Sequence, residues 1–142
     1  MNLDVLTDIL HKNIKKEEDD EVRKKSFDDI YARNWWGKNE NGDASSGVGS
    51  STLNTRDMIN ILNSVVDNLK LILDKDVITL LDASCGDMFW MPDFLRNRSD
   101  VVFTGYDITQ SNIEAHKEKF RNETWTFKVK IIFKVGYNHF FL

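Results

Sequence analysis

The sequence has a single cysteine, Cys85, which excludes an internal disulfide and fits a reducing compartment. Histidine is scarce too: His11, His116 and His139 are scattered and, with one thiol, offer no metal-ligand spacing, so no metal site is expected. No apolar run approaches the roughly 20 residues that a membrane helix needs. The N-terminus carries Asp4 and Asp8 where a signal peptide would have its apolar core. Basic charge is in deficit, 19 Lys and Arg against 23 Asp and Glu, and the net charge of −4 leaves no footprint for nucleic acid. These absences point to a cytoplasmic protein without membrane or nucleic-acid partners. The hydrophobic share of 41% is near the globular norm, and 142 residues support one domain with its own core.

Two kinds of periodicity divide the chain. Residues 1–52 read as a helical and loop segment. Leu3, Leu6, Ile9, Leu10 and Ile14 have helical spacing, Lys15 to Lys25 is a mixed-charge face or linker, and Ser26 to Tyr31 reads as a short helix. The Gly- and Ser-rich stretch after Trp35-Trp36-Gly37 reads as a loop, with the tryptophans placed in the core. Residues 53–142 read as an α/β domain. Thr52 to Leu73 has a helical stripe at Met58, Leu62, Val65, Leu69 and Ile72, widened by Ile59, Val66 and Leu73, with Ser51, Thr52 or Thr55 as candidate caps. Val77–Leu81 and Val101–Tyr106 are apolar runs expected of strands buried on both faces. A helix is expected from Met88 to Arg96, another from a Thr109 or Ser111 cap to about Phe120, and a third strand over Trp125 to Phe133. Strand–helix–strand–helix–strand implies a Rossmann-like parallel sheet of about three strands with flanking helices.

In such a sheet, ligands bind beyond the carboxyl ends of the strands. Asp82 to Asp87 ends the first strand, and Asp107 ends the second, 25 residues after Asp82. A carboxylate at that second position can accept hydrogen bonds from both hydroxyls of a ribose. A dinucleotide would need G-x-G-x-x-G, of which only Gly86 is present, and Asp87 stands where the phosphates would lie. Two like charges about 4 Å apart repel by roughly 1 kcal/mol in water and about 4 at a surface dielectric. The same acid would attract a cation. S-adenosylmethionine, with a sulfonium, an ammonium, an adenosine and no phosphate, suits one acid near its methionine end and one on its ribose.

Leu81-Asp82-Ala83-Ser84-Cys85-Gly86-Asp87 resembles the glycine-rich loop of class I S-adenosylmethionine-dependent methyltransferases, and Gly105-Tyr106-Asp107-Ile108 resembles their second-strand acidic motif. Residues from Ile30 to about Val129 also resemble a small methyltransferase-like family. Tyr31 to Gly37, Ser46-Gly47-Val48-Gly49-Ser50 and Cys85-Gly86-Asp87-Met88-Phe89-Trp90-Met91 match its motifs in order. The resemblance implies that S-adenosylmethionine is the cofactor. Asp82, Gly86 and Asp87 would line its methionine end and Asp107 would hold its ribose, Ser84 and Ile108 would border it, and the Ser46–Ser50 loop, with Gly47 and Gly49, would close over it. Ser84 replaces the usual first glycine of the loop and Met88 the third.

Other residues have blander readings. Cys85 reads as a small buried residue, and His116 as a solvated histidine on a charged helix. Asp87 can equally cap a helix. Catalytic residues, methyl acceptor and oligomeric state are not legible. Later strands and an acid after the third strand, both expected from the resemblance, do not appear, and Val129 to Leu142 is largely apolar. The sequence therefore reads as a truncated methyltransferase domain, inactive by itself. The alternative is a non-catalytic nucleotide-binding or interaction module that keeps the cofactor half-site.

Overall fold

A computed structural model describes residues 3–37 and 46–130. The expected loop at Asn41-Gly42-Asp43, the end of the third strand at Ile131–Phe133 and the apolar tail to Leu142 lie outside the described residues. Four helices and three strands follow in the order α1 (Leu3–Ala32), α2 (Thr52–Leu73), β1 (Ile78–Ala83), α3 (Met91–Leu95), β2 (Val101–Asp107), α4 (Gln110–Lys119) and β3 (Thr126–Val129), with a 3-10 turn at Val48–Ser50. The strands form one parallel sheet in the order β1-β2-β3, with Leu80 beside Phe103 and Gly105 beside Phe127. The α/β architecture is the expected one.

The first segment is one helix of 30 residues in place of two short helices joined by a charged run. Nothing between Lys15 and Lys25 breaks a helix, since the run contains no Gly or Pro and its acidic block stands one turn from the basic residues on either side. Helix α3 starts three residues later than Met88, because residues 84–88 are committed to a turn whose conformation a helix cannot continue.

The expected stripe on α2 is buried along one side only. Val66 is buried, Ile59, Leu62 and Leu69 pack against the core, and Thr55 is buried above them. Met58, Val65 and Ile72 are exposed, Ile72 at 77%. Apolar residues wrap more than half of this helix, and the sheet meets one side of it only. Ser51 is the cap: its Oγ accepts from Asn54 N–H at 3.4 Å, and Thr55 Oγ1 donates to the Ser51 carbonyl.

The core lies on one face of the sheet. Ile78, Val101, Phe103 and Phe127 point into it, where Val66 of α2, Phe94 and Leu95 of α3, and Ile113 of α4 meet them. The aromatic members interlock, with Phe103 edge-on to Trp125 and Phe127. The expectation of strands buried on both faces fails for the alternate residues: Leu81 and Val102 are each 52% exposed, and Thr79 and Ala83 are exposed as well. In a 1-2-3 order, crossovers of one hand return to one side, so α3 and α4 cover the same face. Charges pin the far end of this layer. Arg98 pairs with Asp67 of α2 at 2.7 Å and with Asp100 at 2.9 Å, and Lys70 reaches Asp100 at 2.7 Å.

Phe103 is 1% exposed in the core, edge-on to Trp125 and Phe127. Phe103→Ala should cost about 3–5 kcal/mol, a large part of the stability of a domain of this size. Urea denaturation followed by circular dichroism checks this, and a loss below about 1 kcal/mol would contradict the packing described.

Candidate functional site

The turn after β1 is the most constrained backbone in the described residues. Ser84 has φ +87°, Gly86 +57° and Met88 +53°, three left-handed residues at alternate positions. These are the three places where the resembled loop carries glycine, and the geometry supplies the reason: each needs a conformation that costs an L-residue roughly 1–2 kcal/mol. Met88 is held there by its burial, 1% exposed in the core, whereas exposed Ser84 has no comparable anchor.

Gly86 is held by both of its polar groups. Its N–H donates to Asp107 Oδ2 at 2.9 Å, and its carbonyl accepts from His116 Nε2–H at 2.7 Å. Asp107 Oδ1 accepts in turn from Thr109 N–H at 2.8 Å. One buried carboxylate therefore joins the loop after β1, the end of β2 and the start of α4. Thr109 occupies the cap position of α4, but its hydroxyl makes no cap bond, and Asp107 serves that end of the helix instead.

His116 corrects the sequence reading. It is 4% exposed, between the rings of Phe120 and Phe127. Burial holds its pKa below the ordinary 6.5, against the opposing pull of the Gly86 carbonyl, so the ring is neutral with its proton on Nε2. The charged neighbours Lys117, Glu118 and Lys119 obscure a signal that is in the sequence: Ile113, His116 and Phe120 lie at i, i+3 and i+7, the inner stripe of α4.

Asp87 does not cap a helix. Its Oδ1 accepts from Phe89 N–H at 3.2 Å and its Oδ2 from Ser46 N–H at 2.7 Å, while its own N–H donates to Ser46 Oγ at 3.3 Å. Ser46 Oγ also pairs with the Tyr31 hydroxyl at 3.3 Å. Ser46 lies so close over Gly86 that a Cβ on the glycine would stand 2.5 Å from Ser46 Oγ and 3.2 Å from the Tyr31 oxygen.

Two cavities flank Ser46. The larger, about 220 Å³, lies between α1 and the carboxyl ends of all three strands. Phe27, Tyr31 and Trp36 wall one side, with Trp36 edge-on to both other rings, and Gly86, Asp107 and Ile108 wall the other. Trp35 turns away at 68% exposure, so the expected core role fails for it; Trp36 is 41% exposed and Trp90 packs partly against the core. The smaller cavity, about 150 Å³, holds Asp82 and Asp87 beside Ser84, Cys85 and Trp90. The structure thus brings Asp82, Ser84, Gly86, Asp87, Asp107 and Ile108 together. Of the loop 46–50, Ser46 lines both cavities and Ser50 the smaller one, while Gly47 and Gly49 line neither. Arg23, Phe27 and Tyr31, at i, i+4 and i+8 on α1, supply cavity walls that the sequence reading did not assign as a site.

Acid dominates the electrostatics. Burial first, and the Asp107 charge second, hold the Asp82 carboxyl above the usual range. Burial, then Asp107 and Asp82, push the Cys85 thiol far up, so it is no nucleophile. Burial raises Tyr31 to about 12, which keeps it a neutral phenol. Among the described residues no His, Cys, Asp and Glu cluster could hold a metal ion, and no helix is long and apolar enough to cross a membrane.

No family model and no curated protein sequence matches the chain. Among solved structures, a 2.2 Å crystal structure of WbdD matches with a TM-score of 0.44 and 22% identity, over 59% of this chain and 19% of that one. The chain thus spans about a fifth of the length of WbdD. A likeness at this level transfers no activity.

Two outcomes follow from the loop. Ser84→Gly should stabilise the protein by about 0.5–1 kcal/mol, strain relief outweighing the entropy of an added glycine; chemical denaturation checks it, and a destabilised variant would refute the strain. His116 has a folded pKa below its unfolded one, so the unfolded state takes up more protons as pH falls below 6.5. Its contribution is complete above pH 6.5 and is lost as pH falls through the depressed folded value. His116→Gln keeps an Nε donor without titrating, and should flatten the pH dependence of stability in that window.

Proposed function

We propose that the chain is the cofactor-binding part of a class I methyltransferase-like domain that takes S-adenosylmethionine. The observation that carries this reading is the joint made by Gly86 and Asp107, where the loop after β1 and the acid ending β2 meet in one crevice at the carboxyl ends of parallel strands.

The donor set fits such a ligand. Asp82, Asp87 and Asp107 stand close enough for the charge of Asp107 to raise the pKa of Asp82. A phosphate would add to this repulsion, while an ammonium or sulfonium would relieve it. Asp107 keeps lone pairs beyond the two bonds to Gly86 and Thr109, since a carboxylate offers about four acceptor sites. It would hold ribose hydroxyls, and Asp87 the ammonium. The rings of Phe27, Tyr31 and Trp36 offer an apolar wall to the adenosine side. When bound, the cofactor supplies an electrophilic methyl group, and the protein's own task is to place an acceptor in line with it. His116 contributes by holding the Gly86 peptide, and the neutral Cys85 and Tyr31 add no competing nucleophile.

Calorimetric titration of residues 1–142 tests the reading. S-adenosylmethionine and S-adenosylhomocysteine should bind, and NAD should not. Asp107→Asn keeps the shape and removes the charge. It should weaken binding by about 1.5–3 kcal/mol, roughly 10- to 150-fold, in a variant whose melting transition is still cooperative. Equal affinity in wild type and variant would remove Asp107 from the site, and tight NAD binding would overturn the cofactor assignment.

A further inference from the structure

Ser46 presents two polar groups to Asp87: its backbone N–H donates to the carboxylate at 2.7 Å, and its Oγ accepts from the Asp87 backbone N–H at 3.3 Å. A donor on the carboxylate and an acceptor on the amide are the two contacts that an α-amino acid makes with one residue, through its ammonium and its carboxylate. Ser46 also fills the space over Gly86, where the missing Cβ leaves room for close approach. It separates the cavity of about 220 Å³ from that of about 150 Å³, and it lines both. Tyr31 of α1 holds Ser46 Oγ from the other side, at 3.3 Å, as an uncharged phenol.

We propose that Ser46 is an internal competitor for the amino-acid end of the ligand: it satisfies Asp87 in the free protein and must leave for that end to bind. The inference rests on the cofactor reading above for the identity of the ligand. It goes further in assigning Asp87 two alternative partners, one from the chain and one from the ligand. Tyr31 is the catch that holds the first. The latch lowers affinity for molecules that carry both an adenosine and an amino-acid group, and leaves molecules with the adenosine alone unaffected.

Two ligands separate these cases. S-adenosylhomocysteine has the amino-acid end, and methylthioadenosine lacks it. Ser46→Ala removes the Oγ contacts to Asp87 and Tyr31, and Tyr31→Phe removes only the catch. Both variants should bind S-adenosylhomocysteine about 3- to 10-fold more tightly than wild type, the worth of a neutral hydrogen bond lost from the free state. Any change these variants make to the adenosine wall acts on both ligands alike, so the ratio of S-adenosylhomocysteine affinity to methylthioadenosine affinity should rise by about the same 3- to 10-fold. Equal tightening for both ligands, or none for S-adenosylhomocysteine in a folded variant, overturns the proposal. Should neither ligand bind any of the three proteins, the cofactor reading falls, and amide exchange decides the latch. The Ser46 N–H should exchange slowly in wild type and faster in Tyr31→Phe, and fast exchange in wild type overturns it.

Discussion

The carboxylate of Asp107 holds the site together. It is 4% exposed and accepts the N–H of Gly86 with one oxygen and that of Thr109 with the other. Buried ionised groups are tolerated only when hydrogen-bonded, and here both partners are backbone amides that would otherwise be orphaned, one in a turn and one at a helix start. Everything around the crevice inherits its position from this group. The loop cannot swing away from β2 without breaking the first bond, and α4 cannot unwind at its start without breaking the second.

The second constraint is backbone conformation. Three left-handed residues in the stretch 84–88 turn the chain sharply enough to present the loop across the strand ends. His116 stabilises that turn from below by taking the Gly86 carbonyl, which would otherwise be buried without a donor. Its own burial among Phe120 and Phe127 follows from the one-sided layer of helices. A histidine flanked by charged residues on α4 thereby becomes part of the support of this loop.

The third constraint is charge of one sign. Three carboxylates gather at the crevice, and burial first, with the Asp107 charge second, raises Asp82. Such a site recruits donors from the chain itself. The Ser46 N–H on Asp87 is that recruitment, and α1 provides the wall that holds it in place through Tyr31.

The sequence by itself determined the parallel α/β layer, because runs such as Val101–Tyr106 and the spacing of α2 are one-dimensional consequences of burial. It also determined that Asp82, Ser84, Gly86, Asp87, Asp107 and Ile108 converge, since residues at the ends of adjacent parallel strands must meet at one edge of the sheet. The buried side of α2 and the open face of the sheet were not legible. Both depend on which side a helix packs against, and for α3 and α4 that is set by crossover hand and not by local pattern. Tyr31 and Phe27 entered the crevice, and His116 its support, only with the tertiary structure, which also gave Ser46 of the expected loop its partners. Their partners lie 15 to 41 residues away for the hydrogen bonds of Ser46 with Tyr31 and Asp87, and 30 for that of His116 with Gly86. No local spacing reports a contact of that range, because its free energy is realised only when separate elements have already packed.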